Sequence, residues 1–132
     1  MASLDSFSDL IGAWELVDCT DFNADGTQGK PLGQNPSGQI MYSTDGHMSA
    51  HLICGSAPSP DAVPYIGYFG RFSVDDASRV VTHHVAGASQ KDMVGTDLKR
   101  SFSLEGVRLT LEASRPNGLA RVYWQRTPSR GS

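Results

Sequence analysis

The feature that most limits what this chain can become is its punctuation. Short runs of β-forming residues are cut repeatedly by turn signals: Asp25-Gly26, Pro36-Ser37-Gly38, Asp45-Gly46, Asp75-Asp76, Glu105-Gly106 and Asn117-Gly118. Glycine supplies the positive φ of tight hairpins, and aspartate closes turns through its carboxylate. Strands spaced in this way build all-β sandwiches or barrels. Eight are expected, at about 12–22, 37–43, 47–54, 66–74, 79–87, 95–104, 107–113 and 119–127. Five of the seven connections are short, which sets sequence neighbours side by side in an up-and-down order. The expected fold is therefore an all-β, eight-stranded antiparallel up-and-down β-barrel. A short N-terminal helical turn is expected from Leu4 to Ile11, with Ser6 and Ser8 as candidate caps.

A chain of 132 residues suits one such barrel spanning 1–132, and no repeat or linker divides it. The loops at 23–36 and 55–65 are longer, the second carrying Pro58, Pro60 and Pro64, and both are expected at an open end as a rim or lid. An eight-stranded barrel either fills with side chains or holds one small ligand. Closure also removes exposed edges, so the expectation is a monomer or a weak homodimer.

Charge narrows the partners. Charged residues are 19% of the chain, the net charge is −3, and the 11 basic residues are scattered. Without a positive stripe to displace counterions, nucleic acid is excluded as a partner. No apolar run approaches the roughly 18 residues that cross a bilayer, so no membrane partner is expected. The opening residues Met1 to Phe7 have neither a basic flank nor an apolar stretch, so no secretory signal is expected. Two cysteines, Cys19 and Cys54, have no framework spacing and read as reduced thiols of a cytoplasmic protein. No glycine cluster forms a phosphate loop, and no cofactor is expected.

Strand alternation nominates inward residues. Arg100 is in phase with Leu98, Phe102 and Leu104. His83 shares a face with Val81 and Val85, while His84 points the other way. Tyr68 falls with Gly70, Phe72 and Val74, and Val122, Trp124 and Arg126 share one face. Burying Arg100 unpaired is costly, so it needs a carbonyl, a ligand anion or a carboxylate such as Asp18. His47 and His51 have helical metal spacing, but on a strand they stand about 13 Å apart, so no metal site is expected. No serine sits in a Gly-x-Ser-x-Gly elbow.

Several blocks then point to a family. They are Ile11-Gly12-Ala13-Trp14-Glu15-Leu16-Val17, Pro36 to Tyr42, Thr44 to Ala50, Tyr68-Phe69-Gly70-Arg71-Phe72, Val81 to Val85, Val94-Gly95-Thr96 and Arg100-Ser101-Phe102. In order and spacing over roughly residues 8 to 127, the chain resembles the small lipocalin-like domain family of short bacterial and fungal proteins, within the calycin superfamily. It lacks the disulfide and the Thr-Asp-Tyr motif of secreted lipocalins. The resemblance implies that Trp14 plugs a closed end under Arg126. Related small barrels, allene oxide cyclase among them, turn over hydrophobic intermediates without a cofactor.

That resemblance implies a cofactor-independent isomerase or cyclase acting on a hydrophobic, natural-product-like molecule, or a non-catalytic binder of such a ligand. In the first case His83 is the expected acid or base, with Arg100 and Tyr68 holding a developing oxyanion. Tyr42, His51, Phe72, Phe102 and Trp124 are the expected substrate-binding residues.

Overall fold

The computed structural model describes residues 6–60 and 62–128. The elements run α1 (Ser6–Leu10), β1 (Gly12–Asn23), β2 (Gln28–Gly29), β3 (Ser37–Tyr42), β4 (His47–Ile53), β5 (Tyr65–Asp75) and β6 (Val80–Ala88). A 3-10 turn at Lys91–Met93 precedes β7 (Asp97–Glu105), β8 (Arg108–Arg115) and β9 (Gly118–Arg126). From β3 to β9 each strand pairs antiparallel with the next, while β1 joins β3 on one side and β9 on the other. Eight long strands thus close an antiparallel up-and-down barrel. The two-residue β2 is a small ribbon on the far end of β1, pairing Asp21 with Gly29. The expected helical turn is present, although Leu4 lies outside the described residues.

The end built by α1 is plugged. Trp14 is fully buried, and its indole N–H donates to the Leu10 carbonyl at 3.0 Å. Arg126 lies over the Trp14 ring, the contact that the family resemblance implies. Phe7 stacks on Phe72 at 4.8 Å between ring centroids, and Phe72 in turn meets the edge of Tyr42 at 4.7 Å. Arg79 lies over Phe102 and donates to Ser6 Oγ at 3.0 Å, so Phe102 belongs to the same plug. Phe72 and Phe102 are therefore core packing at the closed end, not cavity wall. Their strands carry them inward, but below the level where the barrel is hollow.

A β-bulge in β1 decides what faces the hollow part. Trp14 and Leu16 point inward, the register against β9 then shifts between Leu16 and Asp18, and beyond it Cys19 turns inward. One extra residue on a strand flips the alternation downstream of it. Asp18 is thus carried away from the interior, and its carboxylate takes Lys30 Nζ at 2.6 Å. Of the partners open to Arg100, Asp18 is thereby ruled out, and a backbone carbonyl, that of Lys99, is the one it meets.

The two long loops meet over the opposite end. Gln34 and Ser56 exchange backbone hydrogen bonds at 2.7 and 3.0 Å, and Gly55 N–H donates to the Leu32 carbonyl at 2.8 Å. Gly33 sits at φ +78°, and a Cβ there would strike the Ser56 carbonyl, so this crossing requires glycine. Leu32 is drawn down into the core by these bonds.

Candidate functional site

Between plug and loops lies a cavity of about 460 Å³. That is within the range of small-molecule sites. Its walls are largely aliphatic, with Ile40, Leu52, Ile66, Leu98, Leu111 and Val122 contributed by different strands. Pro31 and Leu32 from one loop and Ser59 and Val63 from the other close the mouth side. The polar lining is short: Tyr68, His83, Arg100, Arg115, Asp21 and Cys19, with the indole of Trp124 beside them.

Tyr68, His83 and Arg100 come from β5, β6 and β7, three strands paired in succession. His83 is 1% exposed and has both ring nitrogens engaged. Nε2 lies 2.7 Å from Tyr42 Oη, and Nδ1 lies 2.8 Å from Tyr68 Oη. Burial chiefly, then the nearby positive charge of Arg100, pull its pKa down to about 3. At neutral pH His83 is a neutral imidazole clamped between two phenols. This geometry does not give it the free proton traffic of an acid–base group working near pH 7. Burial also raises both tyrosines, Tyr68 to about 12 with Arg100 opposing the rise, so both remain phenols.

Arg100 is partly buried, and its guanidinium donates to the Lys99 carbonyl at 3.1 Å. Among the described residues no carboxylate pairs with it; the four ion pairs are Lys30–Asp18, His47–Asp45, His84–Asp97 and Arg121–Glu112. Burial lowers its pKa below the ordinary arginine value, and the guanidinium still stays protonated at any working pH. Two further lining residues carry buried polar atoms without a partner, Asp21 Oδ1 and Trp124 Nε1. Burial first, then the Asp21 carboxylate, raise the Cys19 thiol to about 11.

The structure thus brings Tyr68, His83, Arg100 and Trp124 to one cavity and leaves other expected members outside it. Tyr42 reaches His83 from the plug side and does not line the cavity. His51 is on the outer face, where Nδ1 lies 2.7 Å from Tyr65 Oη. Met48 and Ala50 hold the inward phase of β4, so His47, Ser49 and His51 are turned out. Sequence reasoning missed Cys19 and Asp21, hidden by the bulge, and Arg115, which lies just past the expected end of its strand.

On the outer face His84 Nε2 is 2.9 Å from Ser73 Oγ, and its Nδ1 is 2.9 Å from Asp97 Oδ1. The atom order is that of a serine triad, but these residues lie in strands whose backbone N–H groups serve the ladder rather than an oxyanion. Among the described residues no group of three or more His, Cys, Asp or Glu side chains is placed to hold a metal ion. Nor is any helix there long and apolar enough to cross a membrane.

Comparison with known proteins gives three results. Among curated proteins, none matches the chain. The crystal structure of the wild-type fluorescent protein UnaG is similar with a TM-score of 0.44 and 10% identity, covering 91% of this chain and 98% of that one. The family model for the lipocalin-like domain matches residues 11–127. With nearly all of its length matched, this chain belongs to the lipocalin-like domain family.

Proposed function

We propose that the barrel binds a small, largely apolar molecule and that Arg100 takes an oxygen of that molecule. The observation that carries this reading is a guanidinium without a carboxylate partner at the wall of a largely apolar cavity. A partly buried cation without a counterion costs stability, and it is retained where a ligand supplies the missing charge. The free thiols of Cys19 and Cys54 support a reducing, cytoplasmic setting. The closed sheet, which leaves no long strand edge for pairing, supports a monomer or a weak homodimer.

A catalytic version has one specific observation in its favour. Tyr68 and Arg100 line the same cavity within each other's electrostatic reach, as two donors that can hold a developing enolate oxygen. Walls that fix one conformer of a flexible apolar substrate would lower the entropic barrier to isomerisation or cyclisation. In this version His83 supports Tyr68 and does not itself shuttle the proton.

The test is a fluorescence titration with anilinonaphthalene sulfonate, an apolar aromatic anion. Saturable enhancement at one site per chain, weakened about tenfold in Arg100→Met, supports binding at Arg100. Enhancement that never saturates, or that Arg100→Met leaves unchanged, sinks it. Incubation with cyclisable conjugated carbonyl compounds then separates enzyme from binder: product formation that Arg100→Met abolishes supports the catalytic version.

A further inference from the structure

We infer that Tyr42 fixes the tautomer of His83 and thereby turns Tyr68 into a hydrogen-bond donor facing the ligand, so that the cavity selects molecules with an anionic oxygen such as phenolates or enolates. This deepens the binding reading above and rests on it.

The argument is a count of protons. Two phenols and one neutral imidazole carry three polar hydrogens between them, and only two contacts join the three groups. One phenolic hydrogen must be left over. Tyr42 is 2% exposed, its ring is held by the edge contact with Phe72, and His83 is its sole hydrogen-bond partner among the described residues. A buried hydroxyl hydrogen there has one acceptor, His83 Nε2. Leaving it unpaired would waste a desolvated donor. If Tyr42 donates to Nε2, the imidazole hydrogen is on Nδ1 and is donated to Tyr68 Oη. The remaining hydrogen is that of Tyr68, the phenol that lines the cavity.

Donation by the imidazole to Tyr68 Oη strengthens the outward donation of that same hydroxyl. The ionisable groups lining the cavity are Arg100, Arg115, Asp21, Cys19, His83 and Tyr68. Two guanidinium groups outnumber the single carboxylate, and Cys19, Tyr68 and His83 are uncharged at neutral pH. Arg100 acts electrostatically on Tyr68, so the outward donor and the cation work on the same region. An oxygen that accepts two such donors is favoured as an anion.

The probe is para-nitrophenol, whose phenolate is read by its visible absorbance, with nitrobenzene as the neutral isostere. Bound para-nitrophenol should ionise about one pH unit lower than the free compound, a preference of about tenfold for the phenolate. Tyr68→Phe should reduce that preference to the part Arg100 supplies while nitrobenzene still binds, which shows that the cavity has survived. Imidazole nitrogen chemical shifts of the unmutated protein give a readout that needs no variant: His83 should carry its hydrogen on Nδ1. In Tyr42→Phe the Nε2-protonated form should become populated, since Tyr42 no longer occupies Nε2. A hydrogen found on Nε2 in the unmutated protein, or a phenolate preference that is undiminished in Tyr68→Phe, overturns the inference. A single Nδ1-protonated form in Tyr42→Phe overturns the role of Tyr42. Nitrobenzene binding without phenolate preference defeats this inference alone, and binding of neither compound defeats the cavity reading along with it.

Discussion

The guanidinium of Arg126 lies over the indole of Trp14, with Cζ 4.1 Å from the ring centroid. Its Nη1 donates to the Ile11 carbonyl at 2.7 Å and its Nη2 to the Asp9 carbonyl at 2.6 Å. One side chain therefore joins the last strand to the first strand and to α1. Gly12 is part of the arrangement, because φ +127° and a Cβ directed at Arg126 would both be strained in any other residue. Arg126→Ala removes a cation–π contact and two charge-assisted hydrogen bonds, and should cost about 2 kcal/mol. Urea unfolding measures this; a loss below about 0.5 kcal/mol would show that the plug holds without it.

Arg100→Met should behave in the opposite way. The unpaired guanidinium makes one backbone contact, so replacing it with an apolar side chain of similar length should leave the melting temperature unchanged or raise it. The same variant should weaken anilinonaphthalene sulfonate binding by about tenfold. A variant that melts early would mean that Arg100 serves the barrel rather than a ligand.

His83 makes folding sensitive to mild acid. Its pKa is about 3 in the folded chain against an ordinary value of 6.5, so between these limits the unfolded chain binds the extra proton. Stability then falls as pH falls, by about 1.4 kcal/mol per pH unit from this residue alone. Urea midpoints in the unmutated protein should fall at about half that slope from pH 7 to 6, where the unfolded histidine is only partly protonated, and close to the full slope from pH 6 to 5. In His83→Gln the slope should flatten by about one proton between pH 6 and 5. Equal slopes in the two proteins would contradict a neutral, buried imidazole.

Thiol labelling provides a local probe of the cavity. Cys19 is buried and its pKa is raised to about 11, so it offers almost no thiolate at neutral pH. Cys54 is partly buried below the loop, its Sγ donating to the Val63 carbonyl at 3.3 Å. Maleimide should modify Cys54 first, with Cys19 slower by about tenfold or more, as followed by intact mass. Anilinonaphthalene sulfonate in the cavity should slow Cys19 further and leave Cys54 unaffected.

Strand order and the inward positions of Tyr68, His83 and Arg100 are legible in the sequence, because each follows from period-two alternation between clear turns. The plug of Trp14 and Arg126 is instead implied by the family resemblance. The errors have two physical sources. Alternation reports which face a residue occupies but not its height along the barrel axis. Alternation thus places Phe72 and Phe102 on the inner side of the sheet, but not at the level of the plug where they lie. The bulge after Leu16 carries no residue signature, since Val17 is an ordinary strand former. It exchanged Asp18 for Cys19 and Asp21 at the cavity wall. The proton arrangement around His83 depends on Tyr42, a residue from the far side of the barrel, and pairwise strand reasoning does not bring the two together.

The crossing of Gln34 and Ser56 has a kinetic meaning. These bonds hold Leu32 beside the cavity, so for a guest large enough to need Leu32 displaced they would have to part first, and occupancy and dwell time would become separate properties of the barrel. Wall substitutions such as Ile40→Val would alter how tightly a guest is held. Gly33→Ala, which pushes a methyl group against the Ser56 carbonyl, would alter how long it stays. A barrel latched in this way can retain a reactive guest through slow release even where its equilibrium affinity is modest.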